Sequence, residues 1–168
     1  AIYVSATATP TPTPVPGAAA QPIAFTKPGT GGGADIFLTN TDGTNVVNLT
    51  DAAGDDTRPA WSPDGTRLAY TCLRQPDGSI APPQRICVRN ADGTGLVVLS
   101  KLLVDEFGPA WSRDGTQIAL TVGSGSQTTL AFFNVADPIG PFPFGPFSGS
   151  SNPDFAPDRG TLVFEDAN

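Results

Sequence analysis

The 168-residue chain contains no histidine and no methionine. Only two of its 16 acidic residues are glutamate (Glu106 and Glu165), and it has two lysines and two cysteines. Each shortage excludes something. Without histidine, neither a Ser-His-Asp nor a Cys-His constellation can be assembled, and the commonest zinc ligand is missing. Nine Lys and Arg against a net charge of −7 leave no basic surface for phosphate, so a nucleic-acid partner is not expected. There is no unbroken apolar run long enough for a transmembrane helix, so no such segment is expected. Scarce Glu, Lys and Met beside 19 glycines and 18 prolines disfavour helix and favour short strands joined by turns. A chain that opens Ala1-Ile2-Tyr3 instead of with methionine is expected either from removal of a leader, as in secretion, or from a fragment.

Composition divides the chain at about residue 22. Ile2-Tyr3-Val4 reads as one short strand. The following stretch from Thr7 to Gly17, with its alternating prolines, reads as an extended polyproline-like spacer, because each proline fixes φ and removes a donor. At about 3.1 Å per residue such an arm reaches roughly 30 Å. It is either a plain stalk or an arm that delivers Ile2–Val4 to a sheet edge. From Ile23 to the end the chain is repetitive. Pro59-Ala60-Trp61-Ser62-Pro63-Asp64-Gly65-Thr66-Arg67-Leu68-Ala69-Tyr70-Thr71 recurs 50 residues later, from Pro109 to Thr121. A decayed copy spans Pro153 to Phe164, and a half copy, Ile23-Ala24-Phe25-Thr26, lacks the preceding Trp strand. A second element interleaves: Asp35–Thr50 matches Arg85–Ser100, again 50 apart, with a weaker version at Leu130–Asp137.

One repeat has a direct physical reading. Pro-Ala-Trp-Ser is a short inner strand, Ser-Pro-Asp-Gly a tight turn, and Leu-Ala-Tyr-Thr the next strand. Ile-Cys-Val-Arg-Asn is the third strand, Ala-Asp-Gly-Thr turns it, and Leu-Val-Val-Leu is the outer strand. Periods of about 40–50 residues with four short strands each are the signature of propeller blades. Trp61, Trp111 and Phe155 are the expected blade-core anchors. The segments Pro59–Thr71 and Arg85–Leu99 resemble the TolB-type β-propeller repeat, a PAWSPDG-RLAY segment followed by I-V-NADGT. The resemblance extends over about residues 23–166, weakening at 153–164. It implies a propeller fold and mostly non-enzymatic roles in exported or envelope proteins. Some members precede a hydrolase domain and gate it. No such domain is present here, so the family's catalytic residues have no counterparts in this chain.

Strands counted per repeat give three, four, four and two. The expected fold is therefore all-β: about 3–3.5 four-stranded blades behind an extended N-terminal arm, with residues 1–22 as arm and 23–168 as blades. A closed propeller usually needs at least four blades. Three explanations stand side by side: a piece of a longer protein, a missing strand supplied by a neighbour, or closure onto the chain's own edge. Under the second, Ile2, Tyr3 and Val4 form the assembly strand, and Leu162, Val163 and Phe164 the acceptor edge of another molecule.

Chemistry-bearing candidates are few. Cys72 and Cys87 lie on consecutive strands of one blade and are expected to form a disulfide, with two free thiols as the alternative. Asp55, Asp56, Asp64, Asp114, Asp137 and Asp158 invite a calcium reading, but no Asp-x-Asp-x-Asp-Gly loop is present and turn geometry explains most of them. No metal site and no cofactor are expected. Asn48-Leu49-Thr50 is a candidate glycosylation sequon on an outer strand where Asn48 can simply face solvent. Phe142, Phe144 and Phe147 lie in a Pro-rich stretch where the third blade's outer strand belongs. That stretch is either an edge or a loop, and its rings either form a contact surface or fold back over the blade. The resulting expectation is a non-enzymatic, secreted or cell-surface module that associates with itself or with another protein. The alternative is a protein- or glycan-binding segment of a larger envelope protein.

Overall fold

The computed structural model describes residues 21–75, 77–99, 104–143 (backbone alone from 137), 149–156 and 161–166. Thirteen strands form four antiparallel sheets, and no helix occurs among the described residues. The first sheet holds β1 (Ile23–Pro28), β2 (Ala34–Thr39) and β3 (Val47–Asn48). The second holds β4 (Asp56–Trp61), β5 (Arg67–Arg74), β6 (Ile80–Asn90) and β7 (Val97–Val98). The third holds β8 (Glu106–Trp111), β9 (Gln117–Ser124), β10 (Gln127–Asn134) and β11 (Asp137–Pro143). The last holds β12 (Ser151–Phe155) and β13 (Leu162–Glu165). Within each sheet the strands lie in chain order, as in propeller blades. The three-four-four-two count is the one expected from the repeats.

The turns form as their residues dictate. Gly65, at φ 69°, donates its N–H to the Ser62 carbonyl at 2.9 Å. Asp64 Oδ1 accepts from the Ser62 hydroxyl, the Thr66 N–H and the Thr66 hydroxyl at 2.6–3.0 Å. Asp114 repeats all three bonds in the next blade. A feature absent from any strand pattern is a bulge in every inner strand. Register shifts between Thr57 and Ala60, between Phe107 and Ala110, and between Ser151 and Asp154. At the three equivalent positions, Arg58, Gly108 and Asn152 take φ of 55°, 62° and 49°. The bulge turns an N–H backwards: Gly108 donates to Thr71 Oγ1 and Asn152 to Thr121 Oγ1, each at 3.1 Å in the preceding blade.

The core lies between blades. Ala24, Ile36, Leu38 and Leu49 of the first blade meet Leu68, Tyr70, Cys72 and Cys87 of the second. Ala69, Ile86 and Val88 leave the second blade's other face and meet Trp111, Ile118 and Leu120 of the third. Trp111 is buried, donates Nε1 to the Ala60 carbonyl at 3.1 Å, and carries the Arg67 guanidinium 4.9 Å above its ring. Phe155 is only half-buried, with its ring 6.1 Å from that of Phe132.

Cys72 and Cys87 are joined by a disulfide with their Cα atoms 5.9 Å apart. They are not directly opposite in the ladder. Tyr70 faces Cys87 and Cys72 faces Arg85, so the bridge is diagonal across β5 and β6. It closes a loop with a sequence separation of 15. Replacing both cysteines by serine is expected to lower the unfolding free energy by roughly 3 kcal/mol in urea titrations, and an unreduced sample should show no free thiol.

Candidate assembly edges and inner groove

The same sequence behaves differently at the start of the chain. Leu68–Cys72 of β5 and Ile118–Thr121 of β9 are all buried. In β1 the matching Ile23-Ala24-Phe25-Thr26 is half-buried to exposed, with Ile23 at 49 %. Residues on β5 and β9 have a blade on each side, whereas among the described residues β1 has one only on the side facing β4. Its outward face presents Ile23, Phe25 and Phe37. The rings of Phe25 and Phe37 are 5.9 Å apart, and the Lys27 ammonium sits 4.9 Å above the Phe37 ring. Along its inner edge β1 has no ladder partner among the described residues. The consequence reaches Trp61. Trp111 Nε1 finds Ala60 O, but Trp61 Nε1 is buried with no acceptor among the described residues.

The other end is open too. β13 pairs with β12 on one side and has no second partner strand among the described residues. Val163, one of the expected acceptor residues, is 57 % exposed. Leu162 and Phe164 alternate with it on the face toward the third blade and are half-buried. The expected assembly strand Ile2–Val4 lies outside the described residues. Between the two ends, the inner strands line a groove of about 480 Å³ that includes Arg58, Trp61, Pro109, Trp111, Asn152 and Asp154. Arg58 stacks over the Phe107 ring at 5.0 Å.

The acidic residues serve the scaffold. Asp55 Oδ1 accepts the Ala34 N–H at 2.9 Å, and Asp105 Oδ1 accepts the Gln84 N–H at 2.8 Å, so equivalent aspartates latch the second blade to the first and the third to the second. Asp64 and Asp114 are occupied by their own turns, and no cluster of three potential metal ligands occurs among the described residues. Asp158 lies outside them. Asn48 does not simply face solvent. Its Nδ2 donates to buried Asp35 at 2.8 Å and its Oδ1 accepts from the Thr50 and Asp51 N–H groups, so the atom that would carry a glycan is already bonded. The Pro-rich stretch is an edge strand: β11 pairs with β10, Phe142 opposite Phe132, and it is the outermost strand of its blade. Phe144 and Phe147 lie outside the described residues.

The latches, the bulge and the backward N–H bonds lay beyond sequence reasoning, although the Asp55/Asp105 pair, 50 residues apart, was a usable signal. Asp56 illustrates the electrostatic side. Burial raises its pKa from 3.8 to about 6, against the Thr50 hydrogen bond and the nearby Arg74, which favour the charged form. A raised acid pKa stabilises the fold below the unfolded value of 3.8, and that stability is lost as pH rises through about 6. Asp64 and Asp114, held at about 2 by hydrogen bonds led by those from Ser62 and Ser112, act in the opposite sense and in a lower window: their contribution is present above 3.8 and disappears toward pH 2. Asp56→Asn should therefore flatten the fall in stability across this upper window, a difference of up to ~3 kcal/mol by linkage, read from urea titrations on either side of it.

No family model and no curated protein sequence matches the chain. Solved structures do match its fold. TolB from Acinetobacter baumannii superposes with a TM-score of 0.71 at 18 % identity, over 89 % of this chain and 37 % of that one. A structure of a nidogen/laminin complex gives 0.62 at 16 %, over 79 % and 47 %. An oligogalacturonate lyase from Vibrio parahaemolyticus gives 0.58 at 13 %, over 86 % and 42 %. The chain thus spans less than half the length of these neighbours. The fold they share with it is that of TolB-like β-propeller blades.

Proposed function

We propose that the chain is a non-catalytic, extracytoplasmic interaction module whose copies assemble into a cell-surface oligomer or fibre by strand addition. The observation that carries this reading is the open side of β13, a strand with one ladder partner and an exposed Val163. Unpaired strand edges template pairing with other chains. Ile2-Tyr3-Val4 is a short β-forming strand on a spacer, and it adds beside Leu162-Val163-Phe164 of the next molecule. Head-to-tail addition of this kind gives a ring where the rotation closes and a fibre where it does not. The face of Ile23, Phe25 and Phe37, which no blade covers among the described residues, supplies a second, apolar contact for a neighbouring blade. The disulfide supports an oxidising compartment, and a protein–protein complex among the structural neighbours supports an interaction role.

The inner groove favours a second reading. Two tryptophans beside Arg58 and Asp154 suit a bound protein segment or glycan, in a module of a larger envelope protein. Deletion of residues 1–6 separates the two. Strand addition predicts long assemblies of the full chain in negative-stain images and single chains after the deletion, by sedimentation. Assembly that survives the deletion, or a full chain that stays monomeric at high concentration, overturns it, whereas groove binding is unaffected by the truncation.

A further inference from the structure

The second and third blades show how an inner strand is tied to the next blade, and the same donor on the second blade has no partner strand from the first among the described residues. The Ala60 carbonyl of the second blade's inner strand accepts from the indole of Trp111 in the third, and Trp61 Nε1, the equivalent donor one blade earlier, has no acceptor among the described residues. Gln21, just before β1, already lies against Gly65 of the next blade's turn, the place Pro63 takes against Gly115 one blade later. The chain therefore enters β1 from the position that an inner hairpin turn occupies elsewhere.

We propose that Thr13-Pro14-Val15-Pro16-Gly17 of the same chain is the inner strand of the first blade, paired with β1 and offering the Val15 carbonyl to Trp61. The register is set by spacing. Six residues separate Trp61 from Leu68, and six separate Pro16 from Ile23, so Pro14 falls on Pro59, Val15 on Ala60, Pro16 on Trp61 and Gly17 on Ser62. In the other blades Ser62 donates to Arg67 O, and Ser112 to Gln117 O, both at 2.9 Å. Alternation along an antiparallel ladder then makes positions 60 and 62 donors to the second strand, while the N–H groups at 59 and 61 point to the groove. Val15 and Gly17 keep the N–H groups the ladder needs, and Pro14 and Pro16 lack only those it does not. A second match is independent of the first. Ser62 Oγ accepts from Arg67 N–H and Ser112 Oγ from Gln117 N–H. At the corresponding first-blade positions, Gly17 has no hydroxyl and Pro22 has no N–H, so acceptor and donor are missing together. The Thr-Pro alternation, with the period of a strand, thus makes an inner strand that bonds on one edge and is blocked on the other.

This inference goes beyond strand addition between molecules, which uses residues 2–4, so the two fail separately. The test uses the two indole N–H signals in a ¹H–¹⁵N spectrum, assigned with Trp61→Phe, in chains lacking residues 1–6. The Trp61 proton is expected to exchange with solvent about as slowly as that of Trp111, and at least ~10-fold faster once residues 1–16 are removed, with Trp111 unchanged. Val15→Pro in the shorter deletion removes the ladder donor and should give the same selective acceleration, which keeps the test decisive if the longer deletion fails to fold. Equal Trp61 exchange with and without Thr13–Gly17, or protection that disappears on dilution because a second copy supplies the strand, overturns the proposal.

Discussion

The structure depends on sheets that cannot be stable alone being stacked face to face. A blade of two to four short strands buries little by itself, and its second strand is apolar on both faces. In the second blade, Leu68, Tyr70 and Cys72 point one way and Ala69 the other, and all are buried because a blade lies on either side. In the first blade the same alternation of residues is half-buried to exposed, since only one side has a neighbour among the described residues. What distinguishes an interior blade from a terminal one is therefore its neighbours and not its sequence. Open ends follow directly from a fold whose core exists only between units.

Polar groups hold the stack in register where dispersion cannot. Apolar faces can slide, whereas an N–H that must find one particular acceptor cannot. Asp55 and Asp105 take backbone donors from the preceding blade, and the inner-strand bulges return an N–H to Thr71 and Thr121. The Trp111 indole adds a third bond of the same kind. The aspartate latches and the bulge N–H bonds each recur at an interval close to that of the blades, so those parts of the interface are copied along with the sheet. Asp42, Asp64, Asp77, Asp92 and Asp114 are used in turns and Asp55 and Asp105 in latches, which is why acidic abundance here is a poor guide to metal binding.

The blades were legible from the chain because their turns are written in residues with few conformational alternatives. Pro63-Asp64-Gly65 and its copy at 113–115 punctuate alternating apolar runs, and the strand count per repeat came through intact, down to the incomplete first and last sheets. The disulfide was legible as well, since Cys72 and Cys87 sit on consecutive strands, but its diagonal placement was not: register depends on the ladder, which residue spacing across a long loop does not fix. Asn48 read as a surface sequon until its amide was seen bonded to Asp35, a residue 13 positions away. The Pro-rich stretch at 138–143 allowed edge or loop, and the sheet settled it as an edge, where missing donors cost least.

The chain by itself determined the local rules: which residues turn, which alternate, how long a blade is, and that the all-β units repeat. Those rest on φ preferences and two-residue periodicity, which act over a few residues. Only the tertiary structure decided which copies are buried, which carboxylates become latches and which tryptophan lacks an acceptor. Trp61 and Trp111 have the same neighbours in sequence and different partners in space, because the partner comes from the preceding blade and its supply depends on where in the stack the repeat stands.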